Sequence, residues 1–337
     1  MTLRLYLLRR ILLVIPLLIG LSLLTFTVSR ILPGDPVGLA AGPQATPEIR
    51  EALARQFGLD QPLPVQYLNY IAGLFQGDWG QSLYSRRLVL DDLRVFFPAT
   101  FELTIAAVFI ATVLGVPAGF MSAVYRDKLP DQVVRVIALF FVSFPAFWLA
   151  MIFQSILGVT LDWFPIGKRF DVLLAPPATI TGMFTVDALL HLDFQAFGIA
   201  LSHLATPALV LSFGSLASVT RITRTAVLDA LDRDSVRMER ALGIPYRVIL
   251  SKYVLRNALI AILTIVALEF GWLLAGAVLV ETIFDFPGLG LYAVESSLRL
   301  DFEPIMGITI LYGIVFSLIN IAIDIAYGII DPRIRYG

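Results

Sequence analysis

The chain has 337 residues, of which 58% are hydrophobic and 15% charged, with a formal net charge of -1 and a mean hydropathy of +0.83. This composition lies far outside the soluble average and marks an integral membrane protein. The absence of cysteine excludes a disulfide framework, a thiolate metal site and a cysteine nucleophile, and two histidines, His191 and His203, argue against a histidine-rich metal site.

A membrane-crossing helix needs about 20 mostly apolar residues, and six windows approach that length. The first, 11–29, follows MTLRLYLLRR. Its apolar run is longer than a secretory h-region and no Ala-x-Ala site follows it, so it reads as a retained first helix. The outer segment 32–96 comes next. Within it, 47–77 reads as two short surface helices, the first opening on Thr46, Pro47 and Glu48 and repeating Ile49, Leu53 and Phe57 at helical spacing, as a lid lying on the bundle. Windows 103–125 and 136–161 carry no charge; the second is Phe-rich and interrupted by Pro145. Glu102, at the outer end of the second window, reads as interfacial. The fourth window, 204–220, is the weakest, being short and containing Pro207 and several Ser and Thr; a neighbouring bundle accommodates such residues.

Residues 221–256 form a charged segment between two apolar windows, with eight Arg/Lys against four Asp/Glu. Ala226–Leu242 is expected to be helical, Gly243-Ile244-Pro245 to break the chain, and Tyr246–Leu255 to form a second helix, giving a compact projection. A basic loop of this kind is first of all a topology signal. With the N-terminus inside, 16 of the 25 basic residues fall on one side, so both termini are expected in the cytosol. The fifth and sixth windows, 257–280 and 305–323, complete the set. Glu269 lies halfway along the fifth, where a charge is costly unless it faces a path, is protonated or is paired across the subunit interface. Asp324, close in sequence to Arg333 and Arg335, reads as half of an interfacial ion pair. Phe144, Phe147 and Trp148 beside Pro145 are read either as an aromatic constriction or as packing. Between the last two windows, FDFPGLGLY (284–292) cannot form a continuous helix through Pro287, Gly288 and Gly290. The chain has no Gly-x4-Gly-Lys-Ser/Thr phosphate loop, so any ATP-driven work needs another polypeptide.

The segment around Gly243, with Tyr253 and Leu255-Arg256-Asn257-Ala258-Leu259 about a dozen residues on, resembles the cytoplasmic "EAA" loop of ABC-importer permeases. With it come LPGDPV (32–37), GLDQPLPVQYLNYI (58–71), GDWGQS (77–82), FPAT (97–100), FPAFW (144–148), ITG (180–182) with Asp187, LLAGAVLVETIFDFPGLG (273–290) and DPRIR (331–335). In order and spacing these resemble the dipeptide/oligopeptide/nickel class, most of all its dipeptide-type subunits.

The resemblance implies an all-α protein of six transmembrane helices with type I importer architecture: a first segment 1–31, an extracytoplasmic segment 32–96 and a permease core 97–337 carrying the coupling loop 221–256. It implies a bacterial or archaeal cytoplasmic membrane location, and partners in a homologous second permease, two cytoplasmic ATPases holding ATP and Mg, an extracytoplasmic peptide-binding protein and membrane lipid, with no nucleic acid. No cofactor is expected on this chain. Coupling would fall to Asp234, Arg237, Glu239, Arg240, Ala241, Gly243, Ile244 and Tyr246, the translocation path to Phe147, Trp148, Glu269 and Trp272, and binding-protein docking to Asp285, Pro287, Gly288 and Gly290. The implied activity is import of short peptides, with nickel, glutathione or longer peptides as alternatives; a proton-coupled carrier or a channel is the reading from other classes. Two departures stand out. Met238-Glu239-Arg240-Ala241-Leu242-Gly243 replaces a Thr-Ala-Arg-Ala-Lys-Gly run, and Glu269 stands where a neutral polar residue is more familiar.

Overall fold

The computed structural model describes residues 3–31, 36–42, 45–56 and 58–330. The positions of Phe57, Arg333 and Arg335, and with them the expected Asp324 pairing, fall outside the described residues. Those described fold as helices, and apart from an isolated bridge between Gln81 and Leu88 no strand pairing occurs among them.

The chain forms two compact units. The first comprises residues 1–100 and 287–321. Its chain begins with α1 (Leu3–Ile31), α2 (Pro36–Ala41), α3 (Pro47–Gln56) and α4 (Leu63–Gln76). The two surface helices expected over 47–77 are α3 and α4. Helix α4 packs on α1: Tyr67 Oη lies 2.9 Å from Ser22 Oγ, and the Phe26 ring meets Tyr67 edge-on. Next comes the start of α5 (Val89–Val124), and later α14 (Leu289–Leu298) and most of α15 (Phe302–Ile330). Val89, Leu93, Leu289, Tyr292 and Ile308 form this unit's apolar core. Tyr292 donates from its hydroxyl to Asp92 at 2.9 Å, and burial together with that carboxylate pushes its pKa upward.

The second unit, 101–286 with 322–335, holds the remainder of α5, then α6 (Leu129–Ser143), α7 (Ala146–Phe153) running into a π-helical stretch Gln154–Thr160, α8 (Phe184–Leu190), α9 (Phe194–Leu231), α10 (Asp234–Ala241), α11 (Tyr246–Val248), a second π stretch Ile249–Val254, α12 (Leu255–Gly276) and α13 (Val278–Ile283). Helix α9 is its organising element, with α6, α7, α8, α12 and α13 packed against it.

Three sequence expectations need correction. The fourth window belongs to the longest helix: α9 has 38 residues, about 57 Å at 1.5 Å per residue, and Thr206, Ser212, Ser215 and Thr220 of the window are buried with Pro207 inside it. The third window is not one straight span, because α6 and α7 meet at a 98° bend. Phe144 is extended there (φ -102°, ψ 140°) and Pro145 supplies no N–H to continue the ladder. Five helices, α1, α5, α9, the run Tyr246–Gly276 and α15, are long and apolar enough to cross a membrane, and the bent pair gives the sixth if it counts as one span. Finally, 226–242 is not one helix. The α9 helix runs out of its apolar window to Leu231, the chain turns at Asp232 and Arg233, and α10 starts at Asp234.

The α5–α9 contact depends on Gly115 and Gly119, four residues apart on one face of α5. A Cβ on Gly119 would lie 2.4 Å from Thr220 O and 2.8 Å from Thr223 Cβ, so the two backbones approach as small-xxx-small helix pairs do. Gly119→Ala is therefore expected to force the helices apart at a cost of about 1–3 kcal/mol, lowering the thermal unfolding midpoint of the purified protein by several degrees. Gly198→Ala, where an added Cβ meets nothing within 4 Å, serves as the control and should not lower it.

Candidate functional site

The charged segment between α9 and α12 is a fixed projection. Val236 of α10 is fully buried and joins Val227, Ala230, Ile249 and Val254 in one cluster, on which Ile244 also packs. The corner after α10 is a Schellman motif: Gly243 N donates to Arg240 O at 3.0 Å and Ile244 N to Glu239 O at 3.2 Å. Gly243 has φ +74°, a left-handed conformation that only glycine adopts without strain. Its Cβ position is open, so the backbone, not crowding, requires glycine here. Arg240 lies over the Tyr246 ring at 5.3 Å. Asp234 and Arg237 form a solvent-exposed pair at 3.5 Å; Ala241 is exposed and Glu239 half-buried. Met238 is 65% and Leu242 67% exposed. These are two of the residues by which this chain departs from the usual loop, and they leave an apolar surface on the tip of the projection.

The suggested path residues do not form one cluster. Phe147 and Trp148 are exposed on the first turn of α7, with Phe144 and Trp148 stacked at 4.8 Å and 13°. Glu269 is half-buried on α12 and accepts a hydrogen bond from Ser215 Oγ of α9 at 2.5 Å. One of its carboxylate oxygens thus has a neutral donor inside the chain. Trp272, three residues on, is exposed.

At the opposite end of α12, the chain after α13 turns at Phe284, fully buried, and Asp285, which has φ +46° and pairs with Lys168. Gly288 is the N-cap of α14, and Leu289 N donates to Thr100 Oγ1 at 2.7 Å. The segment Pro287-Gly288-Leu289-Gly290 therefore opens a short helix, and Gly290 is buried. As expected, no continuous helix passes through it.

Sequence reasoning missed two buried charge centres. Glu102 is not interfacial: it is 5% exposed and takes five donors, Arg169 Nε (3.2 Å) and Nη2 (2.5 Å), Phe184 N (3.3 Å), and Thr185 N (2.7 Å) and Oγ1 (2.5 Å). Burial pulls the Arg169 pKa down against the raising effect of the Glu102 charge. Nearby, Asp187 sits in a cradle of Ile180, Thr181 and Gly182 N–H groups plus the Thr181 hydroxyl. Burial pushes its carboxyl up, but these donors outweigh it and hold the pKa below the ordinary value. Lys168 and Arg169 are the only Lys or Arg residues in 162–203, and both are paired, Lys168 with Asp285 and Arg169 with Glu102. The second centre is Asp131, fully buried, which accepts from Arg224 Nε and Nη2 at 2.9 Å each and from Ser122 Oγ at 2.5 Å, with Arg135 Nε at 3.4 Å.

Residues 115–336 match the family model described as binding-protein-dependent transport system inner membrane component, and residues 3–104 match the model of its N-terminal part. The chain belongs to this family. It is a membrane permease subunit of the bacterial inner membrane. Among its relatives, the probable D,D-dipeptide transport system permease protein DdpB of Escherichia coli strain K12 is 43% identical over 94% of both chains. The di/tripeptide transport system permease protein DppB of Pseudomonas aeruginosa is 39% identical over 97% of this chain and 98% of that one. Among solved structures, the MetNI methionine ABC transporter in an inward-facing conformation superposes with a TM-score of 0.50 at 17% identity, covering 69% of this chain and 93% of that one. The fold is that of an ABC-importer permease.

Proposed function

We propose that the chain is the transmembrane permease subunit of an ATP-driven importer of short peptides, dipeptides first, with both termini in the cytosol. It pairs with a homologous second permease; two cytoplasmic ATPases, which hold ATP and Mg, supply the energy, and an extracytoplasmic peptide-binding protein delivers cargo. The observation that carries this reading is the α10 projection, stiff, anchored by Val236 and presenting exposed Met238 and Leu242. Met238 and Leu242, four residues apart, offer a partner an apolar contact, and a helix anchored through Val236 transmits displacement of that partner to α9 and α12. Asp234, Arg237, Glu239, Arg240, Ala241, Gly243, Ile244 and Tyr246 complete the coupling element. Phe147, Trp148, Glu269 and Trp272 are assigned to the translocation path, and the turn Asp285, Pro287, Gly288 and Gly290 to binding-protein docking. Transport proceeds by alternating access, the loaded binding protein and ATP favouring one state and hydrolysis the other. Peptide cargo is supported by the two named relatives, whose similarity runs along nearly the whole chain.

The test is uptake of labelled dipeptide into proteoliposomes carrying the full set of subunits. Uptake is expected to require ATP and to ignore an imposed proton gradient. Uptake that follows the gradient without ATP would put Glu269 at the centre of a carrier mechanism and sink the proposal. ATP-driven uptake of nickel or glutathione but not of dipeptide would keep the mechanism and change the cargo.

A further inference from the structure

A cavity of about 300 Å³ opens between α6 and α9, lined by Arg135, Arg221, Arg224, Leu139, Val142 and Thr220 among others. Three guanidinium groups meet there against one carboxylate. Asp131 is fully committed: it is bound by both Arg224 nitrogens, the Ser122 hydroxyl and the Asp127 N–H, with Arg135 at 3.4 Å. Asp127, the next carboxylate along, faces Arg126 at 3.5 Å. Arg221 is exposed and has no carboxylate partner among the described residues. The site thus keeps an excess of two positive charges. Thr220 is 4% exposed, and its hydroxyl has no hydrogen-bond partner beside the cavity.

The rest of the cavity is apolar and directional. Leu139 and Val142 follow Arg135 along α6 and are exposed, the farther of them about 10 Å deeper at 1.5 Å per residue. Arg221 stands where the apolar window of α9 ends. Charge lies at the mouth and apolar side chains lead inward. A small inorganic anion would satisfy the arginines and leave the apolar wall uncovered. A phospholipid fits both, its phosphate at the guanidinium groups and the start of an acyl chain along Leu139 and Val142, as basic pockets between membrane helices hold acidic lipids. We infer that this groove is a binding site for a phospholipid with an anionic headgroup. The orientation proposed above places it in the cytoplasmic leaflet; the inference rests on that reading only for the choice of leaflet.

The test needs no transport. The assembled complex, purified and exchanged into nanodiscs of phosphatidylcholine with a minor fraction of phosphatidylglycerol, is weighed by native mass spectrometry for retained lipid. R135Q/R221Q is compared with wild type and with K128Q, which removes a charge from the same side but outside the cavity. Arg224 is left in place because it clamps Asp131. At about 1 kcal/mol for each basic residue near a charged headgroup, the double variant should hold phosphatidylglycerol roughly 30-fold more weakly, with K128Q close to wild type. Equal retention by wild type and the double variant would overturn the site. A photo-crosslinker at Leu139 is expected to capture lipid; capture of the second permease instead would also overturn it. Failure of dipeptide uptake leaves both readouts unchanged, so the two proposals fail separately.

Discussion

Replacing Arg169 by Met should be among the most damaging single changes in this chain, because it leaves the Glu102 carboxylate inside the protein without its cation. The Glu102 side chain is 5% and that of Arg169 7% exposed, and removing one partner of such a buried pair costs about 3–5 kcal/mol. The arginine also donates to Gly182 O at 2.6 Å and stacks over Phe184 at 3.9 Å, so its loss frees the segment after the π stretch from α5. The cation and the geometry can be separated. In E102Q/R169M no charge remains to be buried, and a neutral amide still accepts from Thr185. The double variant should regain more than half of the stability lost in R169M, as read from unfolding midpoints of the purified complex in detergent. Equal destabilisation in the single and double variants would mean that packing of the arginine, not its charge, holds the segment. In either case dipeptide uptake is expected to fall with the folded fraction and no further, since neither residue is assigned to the path or the coupling element.

What could be read in the sequence was set by the range of the interactions involved. Apolar windows are local, so the membrane class and the positions of the spans were legible. Gly243 was legible because a helix end that needs a left-handed residue selects glycine. The turn at Asp232 and Arg233 was not, since neither residue is a breaker and α10 begins through tertiary burial of Val236. The strength of α9 was hidden for a related reason. Its Ser and Thr count as polar in any hydropathy sum, yet Thr206, Ser212, Ser215, Thr220 and Thr223 are buried in the bundle, where Ser212 donates to Leu209 O at 2.7 Å and Ser215 to Glu269. Glu102 was misread because its partner lies 67 residues away; no local pattern carries that pairing. The bend at Pro145 was legible as an interruption, but its 98° was not. Of the candidate site, the coupling element was read as a compact unit, while the path residues were chosen from chemistry alone and lie on separate helices.

The second large effect is expected at the tip of the projection. M238E/L242E puts two carboxylates where exposed apolar side chains now stand, and neither position contributes to the cluster of Val227, Val236, Ile249 and Val254. Both residues are already in water, so the fold should lose no more than about 0.5 kcal/mol. Burying two unpaired charges against an ATPase, by contrast, costs several kcal/mol, enough to reduce assembly and ATP-driven uptake by a hundredfold or more. Two comparisons separate this from general damage. D234A removes half of an exposed ion pair at 3.5 Å whose side chains are 98% and 71% accessible. Such pairs add little to stability, so any transport it loses reports on contact with the partner. V236A takes a fully buried side chain out of the anchoring cluster and should cost about 1–3 kcal/mol through the cavity left behind; uptake would then fall in step with folded protein. Copurification of the ATPases with each variant, set beside uptake, decides the matter. If M238E/L242E still holds its ATPases and still imports, the apolar tip is not the coupling surface, and the contact must be sought along the polar face of α10 at Arg237 and Arg240.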